Sequence, residues 1–175
     1  MIIWINGAFG SGKTQTAYEL QRRMQNSYVY DPENAGFFIR ENIPESIRTE
    51  DFQDYPMWRT FNFDMLDYIS QHYIGHIIVP MTITSRQYYD EIIGALSKKY
   101  DIRHIILYAK KETILRRLES RPESSRLWAE QQIDRCINAF DKDIVKYKIF
   151  TDDMTIHQVV EQIASLTDIN LSEDS

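Results

Sequence analysis

The sequence contains one cysteine, Cys136, so an intrachain disulfide is excluded and a reducing cytoplasm is the expected compartment. No run approaches the roughly 18 apolar residues of a membrane-spanning helix. The first residues lack the basic head of a signal peptide. The six glycines and five prolines form no Gly/Ser-rich linker, and the chain has no internal repeat. These absences predict a single cytoplasmic domain over residues 1–175.

Basic residues are also scarce, with 20 Lys and Arg against 26 Asp and Glu and a net charge of −6 at pH 7. This balance disfavours a general nucleic-acid binder. A local positive site can still hold small phosphates, because net charge does not describe a pocket. The four histidines lack ligand spacing and no cysteine cluster accompanies them, so we expect no structural metal site.

Short apolar segments alternate with longer amphipathic ones along the chain. Five short strands separated by helices predict an α/β fold, with a parallel sheet covered by helices on both faces. Ligands in such folds bind at the carboxyl edge of the sheet. Two polar segments interrupt the pattern, an insertion at about 32–60, expected to be irregular over 33–53, and a lid at about 121–128. The acidic tail from residue 168 is expected to fray.

The segment from Gly7 to Thr14 matches the pattern G-x-x-x-x-G-K-[ST] between an apolar strand and a helix. Glycines let the backbone approach a phosphate, and successive N–H groups at a helix N-terminus form an anion nest. Lys13 would meet the β- and γ-phosphates, and the Thr14 hydroxyl would hold Mg²⁺. No guanine-specifying Asn-Lys-x-Asp follows, which favours ATP over GTP. The predicted nucleotide-binding residues are Gly7, Ala8, Phe9, Gly10, Ser11, Gly12, Lys13 and Thr14.

Asp31 ends the second predicted strand, at the same edge as the phosphate loop. As part of an Asp-Pro pair, it could simply cap the segment that follows. Its carboxylate could instead accept the proton of an attacking hydroxyl, orient that hydroxyl, or hold a water on Mg²⁺. The third predicted strand ends in Val79-Pro80-Met81-Thr82, without the usual carboxylate near Mg²⁺. Asp31 or water must then fill that coordination position.

Two arginines, Arg40 and Arg59, lie among aromatic residues that include Trp58. This setting suits a ring-bearing or anionic acceptor. It equally suits a solvated face over an aromatic core, and the sequence leaves both interpretations open.

Three further arginines, Arg117, Arg121 and Arg135, surround the polar segment at 121–128. In a lid, they would swing onto a transferring phosphoryl group, stabilise its charge and exclude water. In an ordinary basic helix they would face solvent, and charge runs commonly do so.

Several blocks of the sequence resemble bacterial tunicamycin resistance proteins: 2–17, 28–33, 51–53 with 55–56 and 58–59, 78–83, and 132–136. The resemblance implies a three-layer, ATP-binding phosphate-loop protein related to nucleotide and small-molecule kinases, with sheet order 2-3-1-4-5. It places Asp31 where related kinases keep their acceptor-side base, and it makes Arg117, Arg121 and Arg135 lid arginines. Family members continue into a basic, amphipathic tail that contacts the membrane. Residues 170–175 here are acidic, so we expect no membrane association.

Residues and resemblance together favour a Mg²⁺-dependent kinase that transfers phosphate from ATP to a hydroxyl of tunicamycin or a similar nucleoside-like small molecule. One alternative is a protein that sequesters the drug with ATP but without turnover. The other is a general nucleoside or nucleotide kinase. The oligomeric state stays open. The predicted catalytic residues are Lys13, Asp31, Arg117, Arg121 and Arg135, and the predicted acceptor-binding residues are Asp31, Arg40, Trp58 and Arg59.

Overall fold

A five-stranded parallel sheet forms the centre of the computed structural model, which describes residues 1–144 and 146–172. The strands are β1 (Ile2–Gly7), β2 (Ser27–Val29), β3 (His76–Pro80), β4 (Ile102–Tyr108) and β5 (Tyr147–Phe150). They lie side by side in the order β2-β3-β1-β4-β5, which confirms the predicted order 2-3-1-4-5.

Helices connect the strands and cover both faces of the sheet. They are α1 (Lys13–Arg23), α2 (Glu33–Asn42), α3 (Pro56–His72), α4 (Arg86–Tyr89), α5 (Lys111–Leu118), α6 (Glu123–Asn138) and α7 (Ile156–Thr167). Two π-helical segments, Asp90–Gly94 and Ala139–Asp143, extend α4 and α6, and 3₁₀ turns lie at Glu45–Ile47 and Phe52–Asp54.

The central strand β1 is buried on both faces, because alternate side chains of a strand point to opposite sides of the sheet. Ile2 and Trp4 enter a core with α3 and the π-helical segment after α4. Ile3 and Ile5 enter the opposite core with α1 and α7. This arrangement gives the predicted three layers, and it directs the carboxyl ends of all five strands to one edge.

Helix α2 occupies a region that the sequence analysis treats as irregular, so that expectation is wrong over residues 33–42. The helix forms because Ala35, Gly36 and Ile39 make a buried stripe at helical spacing. At its start, the Asp31 carboxylate accepts a hydrogen bond from the backbone N–H of Glu33 at 2.9 Å. Asp31 therefore caps the segment that follows it, as one of the two interpretations expected. This hydrogen bond leaves the negative charge of Asp31 free to act on other groups.

The end of the chain is docked as far as Ser172, so the expectation of a frayed tail is wrong for residues 168–172. Ile169 and Leu171 pack against the core beside α1 and α7. The backbone N–H of Ser172 donates to the Arg23 carbonyl at 2.8 Å. Residues 173–175, which complete the acidic tail, lie outside the described residues.

Candidate functional site

Residues 7–14 connect β1 to α1 and close into a loop at the carboxyl edge of the sheet. The φ angles of Gly7 (148°), Gly10 (85°) and Gly12 (94°) lie in a region that L side chains rarely adopt. A Cβ at Gly7 would lie 2.5 Å from the Ser11 Oγ and 2.6 Å from the Leu107 carbonyl oxygen. Glycine is therefore needed for this loop to close, and the motif forms the predicted strand–loop–helix arrangement.

Two polar groups of the loop suit a phosphate. The Ser11 Oγ is buried and has no hydrogen-bond partner among the described residues. Lys13 donates from Nζ to the Ala8 carbonyl at 3.0 Å, and burial lowers the pKa of Lys13 to about 8. The nearby Glu33 carboxylate is the largest influence that raises this pKa again. A bound phosphate would give the hydroxyl a partner and the buried ammonium a counter-charge.

A cavity of about 550 Å³, the nucleotide cavity, opens against this loop. Thr14 lines it with an exposed side chain, so its hydroxyl can reach a Mg²⁺ carried on phosphates. Within residues 1–144 and 146–172, no group of three or more His, Cys, Asp or Glu side chains is placed to hold a metal alone. A Mg²⁺ bound by one or two protein groups and by phosphates is the usual arrangement in kinases, and the donors present fit it.

Two of the predicted lid arginines reach the nucleotide cavity. Arg117 donates from Nη1 to the Thr151 hydroxyl at 3.1 Å and from Nη2 to the Thr151 carbonyl at 2.5 Å. These bonds fix Arg117 against the loop between β5 and α7 as one wall of the cavity. Arg121, between α5 and α6, lines the nucleotide cavity and also a second cavity beside it.

The second cavity, which we call the acceptor cavity, has a volume of about 320 Å³. Two aromatic pairs contribute to its walls. Phe9 of the phosphate loop meets Trp128 of α6 edge to face at 4.7 Å between ring centroids, and Phe37 of α2 meets Phe52 at 6.0 Å. Aromatic walls with a few charged groups are typical of sites for small molecules that contain a ring.

Glu33, a residue not predicted from the sequence, lies on the wall of the acceptor cavity, and its charge acts on Lys13 of the phosphate loop. Burial raises the pKa values of both Glu33 and Asp31 above their ordinary range, and the Asp31 charge raises that of Glu33 further. The charges of Lys13 and Arg121 oppose the rise at Glu33. The sequence did contain a signal for Glu33, because this residue follows Asp31 by two positions. The expectation of an irregular segment concealed that Glu33 begins a helix at the sheet edge.

The three predicted acceptor-side residues besides Asp31 separate into two groups. Arg40 lines the acceptor cavity, where its Nη2 donates to the Glu50 carbonyl at 2.9 Å. Trp58 is fully buried and donates from Nε1 to the Pro32 carbonyl at 3.0 Å. Arg59 is also buried. Trp58 and Arg59 line neither cavity and support residues of the acceptor-cavity wall from behind.

Arg59 provides that support through several contacts. Its Nη1 donates to the Gln53 carbonyl at 2.6 Å, its Nε pairs with Glu91, and its guanidinium lies 4.3 Å from the centre of the Tyr88 ring. Gln53 in turn lines the acceptor cavity. Arg59 therefore holds the 3₁₀ turn at Phe52–Asp54 in place.

Arg135 is placed differently from the other two lid arginines. It lines neither the nucleotide nor the acceptor cavity, and its Nη2 lies 3.3 Å from the Asp51 carboxylate. Asp51 itself lines the acceptor cavity. The predicted lid at 121–128 includes the start of α6, and this ion pair ties α6 to the insertion beside the acceptor cavity.

The second position after β3 carries Thr82, and no carboxylate follows the strand directly. The Thr82 hydroxyl donates to the Gly7 carbonyl at 2.7 Å, which links the end of β3 to the start of the phosphate loop. Thr82 therefore has a structural partner within the protein. In the described part of the chain, no helix combines the length and hydrophobicity of a membrane span.

Known proteins share this architecture. A family model described as an AAA domain matches residues 3–138. The tunicamycin resistance protein of Deinococcus radiodurans is 32% identical, with a TM-score of 0.81 over 99% of this chain and 98% of that chain. No protein of curated function matches the sequence.

Two solved kinases share the fold at lower identity. A sugar kinase from Janibacter sp. HTCC2649 is 18% identical, with a TM-score of 0.65 over 96% of this chain and 94% of that one. Shikimate kinase from Bacteroides thetaiotaomicron is 16% identical, with a TM-score of 0.64 over 97% and 99%. The phosphate loop, the sheet order and these matches agree with the resemblance found in the sequence. The chain belongs to the AAA-type phosphate-loop proteins and, among them, to the bacterial tunicamycin resistance family.

Proposed function

We propose that this protein is an ATP- and Mg²⁺-dependent phosphotransferase that acts on a hydroxyl of tunicamycin or of a similar nucleoside-like small molecule. The observation that carries the proposal is the position of Arg121, which lines both the nucleotide cavity and the acceptor cavity. Direct phosphoryl transfer requires the two substrates to meet at one point, with positive charge placed there. The relatives that share the fold include two kinases of small molecules.

The proposed chemistry is one in-line displacement. The acceptor oxygen forms a bond to the γ-phosphorus, the bond from that phosphorus to the β–γ bridging oxygen breaks, and the hydroxyl proton passes to a carboxylate. ATP supplies the phosphoryl group, and Mg²⁺ neutralises part of its charge. Lys13 and Arg121 stabilise the charge on the transferring group, while Arg117 forms the wall that positions the nucleotide.

Glu33 is the proposed acceptor of the proton, because it lines the acceptor cavity. Its raised pKa brings the carboxylate closer to the range in which a general base works well. Asp31, the base expected from the sequence, holds the first turn of α2 through its bond to the Glu33 N–H. Its negative charge also acts on both Glu33 and Lys13.

Drug sequestration without turnover is the competing function. One observation favours it: Thr82, rather than a carboxylate, follows β3, and its hydroxyl is already bonded to Gly7. A third function, a general nucleoside or nucleotide kinase, uses the same donor site with a different acceptor.

Mass spectrometry of tunicamycin after incubation with the protein, ATP and Mg²⁺ tests the proposal. We expect the drug to gain the mass of one phosphoryl group, and we expect Lys13→Ala to abolish the gain. Unchanged drug that binds stoichiometrically in an ATP-dependent way would contradict the proposal and support sequestration. Unchanged and unbound drug, together with phosphorylation in a panel of nucleosides and monophosphates, would support the general kinase.

A further inference from the structure

A third cavity, of about 630 Å³, lies beside the edge strand β2 and is separate from the nucleotide and acceptor cavities. We call it the β2 groove. Side chains from α1, β2, α2 and α3 line it. Its volume falls within the roughly 300–1,000 Å³ of small-molecule sites. The β2 groove therefore has the size of a binding site, and no step of the proposed reaction uses it.

The walls of the β2 groove are apolar over most of their length. Aromatic rings and thioethers dominate, and several of them are exposed, including Phe38 (66%), Met57 (55%) and Phe61 (49%). The hydroxyl of Tyr30, another wall residue, is occupied by a 2.7 Å bond to Asn62. The chemistry suits a flexible hydrocarbon, because methionine and aromatic side chains adapt to irregular apolar shapes.

Polar groups lie at one end of the β2 groove. Apart from tyrosine hydroxyls, the polar side chains that line it are Asp31 and Asn34, both at the start of α2. This end is the carboxyl edge of the sheet, where the phosphate loop lies. Asp31 is close enough to Lys13 for each charge to influence the pKa of the other. The polarity of the β2 groove therefore changes along its length: the end beside the reaction centre is polar, and the surface along β2 is apolar.

Helix α2 separates the β2 groove from the acceptor cavity. Phe37 lines the acceptor cavity and Phe38 lines the groove. At the start of the same helix, Glu33 lines the acceptor cavity while Asp31 and Asn34 line the groove. The first turn of α2 therefore contributes side chains to both spaces, which places the polar end of the β2 groove beside the acceptor cavity.

We propose that the β2 groove binds an uncharged aliphatic chain carried by the phosphoryl acceptor, with the reacting end of that molecule in the acceptor cavity. This inference rests on the proposed function, because it assigns the apolar part of the same acceptor. The occupant is a hydrocarbon chain because the wall offers no charge beyond Asp31 among the residues that line it. It belongs to the acceptor because the groove begins at the reaction centre.

The methionines allow the three cavities to be observed separately. Met57 and Met65 line the β2 groove, Met81 lines the acceptor cavity and Met154 lines the nucleotide cavity. With ¹³C-methyl-methionine protein, alkyl β-glucosides with chains of four to twelve carbons serve as probes below their micelle concentrations. We expect the Met57 and Met65 signals to shift, with a Kd that falls about threefold for each added pair of methylenes. Full burial would give a steeper dependence of roughly fourfold per methylene.

Adjacent residues of α2 supply matched variants. Phe38→Ser removes an exposed ring from the β2 groove, and Phe37→Ser removes an exposed ring (48%) from the acceptor cavity. Neither residue belongs to the buried core, so both variants should fold. We expect Phe38→Ser to reduce the dependence of Kd on chain length to less than half, and Phe37→Ser to leave that dependence unchanged.

The outcomes separate this inference from the proposed function. Chain-length-dependent shifts at Met57 and Met65 support the inference even when no phosphorylated product of tunicamycin forms, in which case only the proposed function fails. Absence of such shifts, or shifts that do not depend on chain length, would overturn the inference even when tunicamycin is phosphorylated. An unchanged length dependence in Phe38→Ser would overturn it as well.

Discussion

The nucleotide cavity and the acceptor cavity draw on the sequence in different ways. The nucleotide cavity takes much of its wall from one continuous segment, residues 10–15. The acceptor cavity combines the phosphate loop, α2, the 3₁₀ turn at Phe52–Asp54, the end of β3 and α6. Glycines and backbone groups shape the loop side of the first, which α5 and the segment around the start of α7 complete, whereas side chains far apart in the sequence shape all of the second. A local motif can therefore specify the phosphate-loop side of the nucleotide cavity, but only the completed fold specifies the acceptor cavity.

The largest expected effect separates the two carboxylates on the acceptor side. Glu33→Gln should lower kcat about 10³-fold, as loss of a general base does, while the Kd for ATP stays within about twofold. Asp31→Asn should cost about tenfold, because the amide oxygen of the new side chain can still accept the Glu33 N–H although the charge is lost. ADP release in the presence of acceptor measures both. The reverse ranking would make Asp31 the base.

On the donor side, a single added methyl group should be costly. Gly7→Ala would place a Cβ within 2.6 Å of the Leu107 carbonyl at a φ of 148°, which opens or strains the loop. Strain of this kind should weaken binding of a non-hydrolysable ATP analogue about 10- to 100-fold by calorimetry. Gly94→Ala is the matched control, because its Cβ would meet no atom closer than 3.4 Å. Equal affinities for the two variants would refute the role of Gly7.

Nucleotide affinity should depend on pH through Lys13. In the free protein, Lys13 loses its proton as pH rises through about 8, whereas phosphates in the complex keep the ammonium charged. Binding above pH 8 therefore takes up a proton, and affinity should fall about tenfold per pH unit there. Calorimetry in buffers of different ionisation enthalpy measures the proton uptake. Lys13→Met should bind weakly at every pH, and a remaining slope in that variant would assign the effect to another group.

The smallest expected effect concerns the ion pair of Arg135 and Asp51 beside the acceptor cavity. Arg135→Ala should raise the KM for the acceptor by up to about fivefold and leave ATP affinity unchanged, because the pair with Asp51 is partly exposed. Asp51→Asn should give a similar change, and the double variant should add little to either. Lys111→Ala, which removes an exposed pair with Asp134 elsewhere on α6, should leave both constants unchanged. Additive effects at Arg135 and Asp51 would show that the two act separately.

The strand–loop–helix geometry of the phosphate loop could be predicted from the sequence because the fixed residues of the motif, Gly7, Gly12, Lys13 and Thr14, lie in one continuous segment. The sheet order came from the resemblance and is confirmed. The acceptor side was predicted less well for physical reasons. Residues 33–42 have a narrow buried stripe whose partners lie elsewhere in the chain, so the segment looked polar. Trp58 was predicted to bind the acceptor. A sequence does not distinguish an aromatic side chain that is buried behind a cavity from one that is exposed within it.

The shared position of Arg121 has a thermodynamic consequence. The Arg121 guanidinium faces both cavities. A ligand that orders it in one cavity therefore also changes the position and charge that it presents in the other cavity. Under the proposed function, the affinities for nucleotide and acceptor are then coupled, and the factor by which ATP changes acceptor binding must equal the factor by which the acceptor changes ATP binding. Through this one side chain, binding of a ligand in either cavity changes the affinity of the other cavity for its own ligand.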